Sequence, residues 1–318
     1  MQGIEACLAT EVGMAKKVFE ATNITKKYKQ SYALNNFNME IQQGTIYGFV
    51  GKNGAGKTTL IRILAGFSKQ TSGKIELFGE SDNGKLHKKR GCINGIIETP
   101  WYYPNMTAQD NLEICRLQRG ITEKGCIKSV LQIVGLQDVS AKKVRDFSLG
   151  MRQRLGLAMG LLGNPKLLFL DEPINGLDPV GIIELRELLK KLNKEYGITI
   201  LISSHLLSEL HQLATCYGFI HKGKMIEQIT ANALEEKCKK YLYIKVCDAV
   251  KAEAILRTTF HTGNLEVISD NEINLYEAFD KTGEIVKALA SEEITVEEIS
   301  VRGNDLEKYY MSLIEGKN

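Results

Sequence analysis

Short apolar runs alternate with stretches of helical spacing through the first two thirds of the chain. Residues 45–50 (TIYGFV), 166–170 (KLLFL) and 198–203 (ITILIS) lack the polar alternation of a half-exposed strand. Such runs are typical of a parallel sheet that is covered on both faces. Residues 58–67 and 179–193 have helical spacing and predict the connecting helices. The pattern predicts an α/β fold.

Two regions depart from this alternation. Residues 106–139, rich in Leu, Ile, Gln and Lys, predict helices, so we expect a helical subdomain at about 106–160. From about residue 231 the order of elements becomes β-α-β-β-α-β-α, which is compatible with a ferredoxin-like unit. The predicted organisation is an extension at 1–13, a first domain at 14–230 with its first strand after Met14, and an accessory α+β domain at 231–318.

Composition narrows the class of protein. The 318 residues are 43% hydrophobic and 25% charged, which excludes a disordered chain. A net charge of +3 gives no reason to expect a nucleic-acid partner. The seven cysteines include no C-x-x-C, so we expect reduced thiols and no zinc site. No apolar run reaches the roughly 18–20 residues of a membrane helix, so any membrane-spanning partner is a separate chain.

The strongest motif is the segment 51–58, Gly-Lys-Asn-Gly-Ala-Gly-Lys-Thr, which matches G-x-x-x-x-G-K-[ST]. It follows a predicted strand and opens a predicted helix, as a phosphate-binding loop must. Its glycines allow backbone N–H groups to turn toward phosphates, and the helix N-terminus favours an anion. Lys57 is predicted to reach the β- and γ-phosphates, and the Thr58 hydroxyl to bind Mg²⁺.

A second motif ends the predicted strand at 166–170 in two carboxylates, Asp171 and Glu172. Asp171 is predicted to hold Mg²⁺ through water. Glu172 is predicted to accept a proton from the attacking water, or to orient that water. Alone this motif is weak evidence, but it gains weight because it lies downstream of a phosphate loop in the same α/β domain.

The segment 147–154, Phe-Ser-Leu-Gly-Met-Arg-Gln-Arg, resembles the signature motif of ABC ATPases, which is usually L-S-G-G-Q. Ser148 and Gly150, which touch the γ-phosphate in that family, are kept, whereas Phe147, Leu149 and Met151 depart from the motif. An ordinary N-capped helix beginning after Ser148 would also explain the segment, because a capping serine and the helix dipole make an anion site in either case.

Further motifs of the ABC family follow in order. Residues 175–178 (Asn-Gly-Leu-Asp) resemble the D-loop that couples the two halves of a dimer, and His205 resembles the switch histidine that contacts the γ-phosphate. Tyr28 stands where the family stacks an aromatic ring on adenine, although a core aromatic is the common alternative. The resemblance covers about 17–230. It implies ATP contacts from Tyr28, Gly51, Lys52, Asn53, Gly54, Ala55, Gly56, Lys57, Thr58, Thr59, Ser148 and Gly150.

Glu98 stands where ABC ATPases carry a glutamine that binds Mg²⁺. The segment 96–100, Ile-Ile-Glu-Thr-Pro, and the tail at 305–313 resemble the ATPases of bacitracin and lantibiotic export and immunity systems. This resemblance implies a peptide-antibiotic substrate. Neutral drift at Glu98 in a general drug or lipid exporter is the alternative. The implied metal ligands are Thr58, Glu98 and Asp171.

The resemblance also implies how the protein works. One phosphate loop and one signature cannot complete a site alone, so ATP is expected to lie between this chain and a second copy or a paralogue, arranged head to tail. Lys57, Glu172 and His205 are the expected catalytic residues. A separate integral-membrane permease is expected to contact Glu98 and the helices at 106–139, which places the chain on the cytoplasmic face of the membrane. Non-transport ABC ATPases fit less well, because the translation type has two cassettes and the chromosome type a long coiled coil.

Overall fold

The computed structural model describes residues 16–303 and 306–315, and the chain divides into two compact units, Met1–Ala231 and Asn232–Asn318. The extension predicted at 1–13 lies outside the described residues, as does Asp305 of the tail at 305–313. The six described cysteines are free thiols. Within the described ranges, no helix is both long and apolar enough to cross a bilayer.

The first unit combines nine strands with seven helices in its described part. Its strands are β1 (Lys17–Tyr28), β2 (Ser31–Gln42), β3 (Ile46–Val50), β4 (Ser72–Leu77), β5 (Ile93–Ile96), β6 (Leu167–Asp171), β7 (Thr199–Ser204), β8 (Cys216–His221) and β9 (Lys224–Thr230). Its helices are α1 (Lys57–Leu64), α2 (Asn83–Arg90), α3 (Ala108–Gln118), α4 (Cys126–Ile133), α5 (Leu149–Leu161), α6 (Pro179–Tyr196) and α7 (Leu207–Leu210).

The central sheet has the strand order β5-β6-β7-β3-β8-β9. The first five of these strands run parallel, and β9 pairs with β8 in the antiparallel direction. Every residue of β3, β6 and β7 is buried, as expected for strands covered on both faces. The predicted α/β fold is confirmed, and the carboxyl ends of the parallel strands meet at one edge.

A second, antiparallel sheet of order β2-β1-β4 packs against α1 and the central sheet. The rings of Phe37 on β2 and Phe49 on β3 meet edge to face, with centroids 6.0 Å apart. The sequence analysis placed no strand at β2 or β4. Their polar residues hide the alternation, and the pairing of β1 with β2 shifts register several times.

The helices α3, α4 and α5 form the expected insertion between β5 and β6. A capping box opens α3, since Thr107 Oγ1 accepts from the Asp110 N–H at 3.1 Å and Asp110 Oδ2 accepts from the Thr107 N–H at 3.1 Å. The buried Asn111 amide binds the preceding loop, because its oxygen accepts from the Tyr103 N–H at 2.7 Å. These contacts fix the chain that leads from β5 into the insertion.

The second unit contains a four-stranded antiparallel sheet of order β11-β12-β10-β13, and α9 and α10 pack on one face of the sheet. This is the β-α-β-β-α-β arrangement of ferredoxin-like units, in the predicted element order. The elements are α8 (Ala231–Cys238), β10 (Tyr241–Val246), α9 (Ala249–Thr259), β11 (Leu265–Ser269), β12 (Glu272–Leu275), α10 (Thr282–Ser291), β13 (Val296–Arg302) and α11 (Leu306–Glu315).

Candidate nucleotide-binding site

The loop at 51–58 connects β3 to α1, and close backbone approaches explain two of its glycines. Gly56 has a φ of 116°, and a Cβ there would lie 2.5 Å from the Ala33 carbonyl oxygen. A Cβ on Gly51 would lie 2.5 Å from Ile220 Cγ2. The loop is therefore held between β2 and β8, and α1 begins at Lys57 with its N-terminus at the loop, which favours an anion there.

Lys57 is the buried cation of this loop, with 5% of its surface exposed. Its Nζ donates to the Gly51 carbonyl oxygen at 2.5 Å and lies 3.0 Å from Glu172 Oε1. A buried ammonium group is stable only when it is paired. The structure therefore brings the phosphate-loop lysine and the predicted catalytic carboxylate into direct contact.

Asp171 connects three elements at the carboxyl edge of the central sheet. Its Oδ2 accepts from Thr58 Oγ1 at 2.6 Å, and its Oδ1 accepts from Ser203 Oγ at 2.5 Å. Asp171 and Ser203 are register partners on β6 and β7. The sequence analysis gave Ser203 no role, although its place at the end of the neighbouring parallel strand was a usable signal.

Glu172 follows β6 in a left-handed backbone conformation, with a φ of 51°. Its N–H donates to Ser203 Oγ at 3.0 Å, and its Oε2 lies 2.8 Å from His205 Nδ1. The residue at the end of β6 is thus turned toward the end of β7. Lys57, Glu172 and His205, the three predicted catalytic residues, form one continuous cluster.

A histidine beside the loop was missed from sequence. Burial lowers the pKa of His221 at the end of β8, and the charges of Lys222 and Lys52 lower it further. Protonation of this imidazole is therefore disfavoured, chiefly because burial removes it from water.

The oxygen donors at the edge of the sheet fit Mg²⁺. The Thr58 hydroxyl and the Asp171 carboxylate are hard oxygen ligands already in contact, and Mg²⁺ is usually bound through one or two carboxylates together with substrate phosphates and water. Among the described residues, no group of three or more His, Cys, Asp or Glu residues could hold a metal ion. A metal at this edge would therefore depend on oxygens from the substrate and solvent.

Glu98 is not brought into contact with Thr58 or Asp171. Its backbone has a φ of 62°, and its Oε1 lies 2.8 Å from Arg62 Nη2 in the last turn of α1. Its side chain is 65% exposed. The ion pair joins the loop after β5 to α1 at the surface. Sequence spacing could not predict this contact, and Glu98 as a metal ligand stays a prediction.

The signature segment lies at the exposed start of α5. Ser148 caps this helix, since its Oγ accepts from the Met151 N–H at 3.2 Å, and Gly150 has open space beside it. Leu149 Cδ2 lies 3.2 Å from the position of a Cβ on Gly176, so the signature and the D-loop segment touch. The capping alternative and an anion-binding role are compatible here, because the same serine provides both.

Tyr28 ends β1 and is not a core residue, since 46% of its surface is exposed. Lys26 Nζ lies 4.9 Å from its ring centroid. The same hairpin continues through Ser31 into Ala33, the residue against which Gly56 packs. The ring is therefore accessible on the hairpin that borders the phosphate loop.

A glycine loop between a buried parallel strand and a helix, with its lysine paired to a carboxylate at the next strand end, defines a P-loop nucleoside triphosphatase. The family described as ABC transporter matches residues 34–175. The bacitracin transport ATP-binding protein BcrA of Bacillus licheniformis is 44% identical over 301 residues, covering 94% of this chain and 98% of that protein.

Two further relatives extend the comparison. The lantibiotic transport ATP-binding protein SrtF of Streptococcus pyogenes is 46% identical over 204 residues, covering 64% of this chain and 87% of that protein. The dimeric, ADP- and Pi-bound post-hydrolysis structure of the cassette MJ0796 has a TM-score of 0.60 and 25% identity, covering 67% of this chain and 98% of that one. The chain belongs to the ATP-binding proteins of ABC transporters. The resemblance seen in the sequence is confirmed, and the chain is an ATPase.

Proposed function

We propose that this chain drives the export of, or immunity to, a peptide antibiotic of the bacitracin or lantibiotic type through a separate membrane permease. The extent of the similarity to BcrA carries the proposal. A match over 94% of the chain includes most of the C-terminal unit, whereas the MJ0796 cassette covers only 67%. The chain therefore shares both of its units with a bacitracin transport protein.

In this proposal the loop at 51–58 and Thr59 bind the phosphates of ATP, and Tyr28 stacks on the adenine. Lys57 supplies the buried positive charge. Thr58 and Asp171 hold Mg²⁺, with Glu98 as a further ligand once the loop after β5 moves. The metal neutralises charge that develops on the phosphates.

Glu172 accepts the proton of the attacking water or orients that water. Its place between Lys57 Nζ and His205 Nδ1 supports this role, because both contacts hold the carboxylate at the carboxyl edge of the sheet. His205 contacts the γ-phosphate and responds to its presence. Ser203 fixes the backbone of Glu172 and the carboxylate of Asp171, so it acts as a positioning residue.

A second copy completes the site in this proposal. ATP lies between 51–58 of one copy and Ser148 and Gly150 of the other, and the exposure of this helix start is compatible with such a contact. The dimeric state described for MJ0796 supports the same arrangement. The dimer lies at the cytoplasmic face of the membrane. There, Glu98 and the helices at 106–139 contact the permease.

Co-purification tests the partner. The tagged chain is extracted from membranes of its own cell in mild detergent, and its partners are identified by mass spectrometry. A polytopic permease in stoichiometric amount is expected. Recovery of a ribosome or DNA instead would contradict a transport role.

Antibiotic sensitivity tests the substrate class. A strain that lacks the gene should become more sensitive to bacitracin or to a lantibiotic, and the wild-type gene should restore resistance. Glu172→Gln serves as the control for turnover and should fail to restore it. Unchanged sensitivity to both classes, with the permease still bound, would indicate another cargo such as a drug or lipid.

A further inference from the structure

The strand β13 lies at one edge of the sheet of the second unit. It is the last strand in the order β11-β12-β10-β13, and among the described residues no further strand pairs with its outer edge. β13 has seven residues, more than any other strand of this sheet, and contains no proline. An exposed strand edge presents a row of N–H and C=O groups to which another strand can bind.

The opposite edge of the sheet is less suited to pairing. The strand β11 has five residues, and its register with β12 shifts between Val267 and Ser269. Short length and such irregularities discourage pairing at an edge. In contrast, β13 keeps one register with β10 from Glu298 to Arg302. The regular edge of β13 is therefore the one available to a further strand.

Apolar side chains reach this regular edge on the helix-covered face of the sheet. Val301 pairs with Leu242, which is fully buried in the core beneath α9 and α10, so both side chains point to the same face. Val301 is nevertheless 56% exposed. Ile299 lies two residues earlier on the same face and is only partly buried against this core. The core is thus incompletely covered at β13.

The other face of β13 has charges of opposite sign on either side of Ser300. Glu298 Oε1 lies 2.8 Å from Arg302 Nη2 and accepts from Ser300 Oγ at 2.8 Å. The side chains of Arg302 and Glu298 are 42% and 46% exposed, so both remain accessible to a partner. An acidic and a basic residue therefore lie equally far from Ser300 along the strand.

A second copy of β13 matches this pattern in one register. A two-fold axis through Ser300 would place Glu298 of each copy opposite Arg302 of the other, and Ile299 opposite Val301 on the other face. Each contact would occur twice, because a two-fold axis exchanges the copies. Centring the axis on Glu298 would bring like charges together. Centring it on Ile299 or Val301 would leave neither charge opposite the other. Charge and apolar complementarity thus select the axis at Ser300.

We propose that β13 pairs in the antiparallel direction with β13 of a second copy, which joins the two four-stranded sheets edge to edge. The inference goes beyond the proposed function, which uses the second copy only at the ATP site of the first unit. The paired segment Glu298–Arg302 is short, so the contact is weak between free chains. It strengthens when ATP holds the first units together, because a second contact within one complex has a high effective concentration.

Disulfide trapping of the full chain tests the pairing. Ser300→Cys places two thiols at the axis, where opposite Cα atoms of antiparallel strands are about 4.5–5.5 Å apart, within reach of a disulfide. In a glutathione redox buffer this variant should form a covalent dimer without ATP, and faster with ATP. Ser269→Cys is the matched control, because it makes the same exchange at an exposed position on the opposite edge. It should stay at the wild-type background, which the native cysteines set.

Charge reversal tests the register. Glu298→Arg or Arg302→Glu, each combined with Ser300→Cys, should slow trapping by about tenfold, because like charges then lie opposite each other twice. An equimolar mixture of the two variants should trap at the original rate, since one strand is then positive at both positions and the other negative. Mass spectrometry identifies the mixed dimer. Unchanged ATPase activity and thermal stability would show that each variant is folded.

Three outcomes would overturn the proposal. The first is trapping of Ser300→Cys no faster than that of Ser269→Cys, and the second is a mixture that traps as slowly as either charge variant alone. The third is a disulfide from Ser300→Cys to the permease in membranes in place of the covalent dimer, which would assign β13 to that partner. Trapping without ATP is independent of the ATP site. A chain that traps but forms no ATP-dependent dimer would therefore refute the proposed head-to-tail arrangement alone.

Discussion

The two units contain similar charged residues but arrange them differently. In the first unit, Lys57, Asp171, Glu172 and His205 come from three different elements and meet at one edge of a parallel sheet. In the second unit, the charges are spread over the open face of an antiparallel sheet and pair with their neighbours. There, the Arg302 guanidinium lies 3.3 Å from the Tyr243 ring centroid and 2.8 Å from Glu298.

The strand direction explains this difference. Parallel strands bring all their carboxyl ends to the same edge, so polar residues that follow them converge there. Antiparallel strands alternate in direction, and their side chains meet across the face instead. The hydrogen bond from Arg302 lowers the pKa of Glu298, as expected for a neutralised pair. We therefore expect catalysis to depend on the first unit, where the polar residues converge.

The largest expected effect comes from Glu172→Gln. The amide cannot accept a proton, so kcat for ATP hydrolysis should fall by about 10²- to 10⁴-fold while ATP binding is kept. Size-exclusion chromatography with ATP should then show a trapped dimer. Glu297→Gln is the matched control, because it removes a carboxylate 2.8 Å from Lys245 in the second unit and should leave kcat unchanged.

Substitutions that create cavities in the two cores test whether the second unit contributes to ATP binding. Ile244→Ala in the second unit and Leu60→Ala in α1 each remove a fully buried side chain. Each should cost about 2–5 kcal/mol in the free energy of unfolding, measured with denaturant. Only Leu60→Ala should raise the KM for ATP. An equal rise for Ile244→Ala would mean that the second unit supports the nucleotide site.

Two glycines provide a closer comparison. Gly56 and Gly303 have φ values of 116° and 110°, and a Cβ on either would lie within 2.6 Å of a carbonyl oxygen, of Ala33 or Lys239 respectively. Alanine at either position should cost about 1–3 kcal/mol through backbone strain. ATP binding, measured by calorimetry, should be lost in Gly56→Ala and kept in Gly303→Ala. Loss of ATP binding in both variants would contradict the assignment of nucleotide binding to the first unit.

The smallest effect concerns Asp110 in the helical insertion. Hydrogen bonds from the Thr107 hydroxyl and N–H lower the pKa of this carboxyl. A lowered pKa stabilises the fold above the unfolded value of about 3.9, and the stabilisation is lost as pH falls through the folded value. In Asp110→Asn, the free energy of unfolding, measured with denaturant at a series of pH values, should therefore fall less steeply as the pH is lowered. A profile identical to wild type would contradict a contribution from the capping box.

The sequence predicted the site better than it predicted the surrounding sheet. Lys57 and Glu172 lie in short motifs whose spacing is fixed by a strand and a turn, so their position could be inferred locally. Ser203 acts through register between parallel strands, and Arg62 meets Glu98 across a long sequence separation. Such contacts depend on tertiary packing. The strands β2 and β4 were missed because only their pairing with β1 identifies them.

The bonds of Asp171 have a mechanical consequence. One carboxylate, 2% exposed, ties the end of β6 to the end of β7 through Ser203 and to the start of α1 through Thr58. Three elements are thereby clamped into a stiff block, because a close-packed interior with satisfied polar groups resists deformation. We expect these three elements to keep their relative positions while ATP is bound and hydrolysed. Conformational changes during the cycle should then occur in the segments attached to them, such as the loop of Glu98 and the segment beginning at His205.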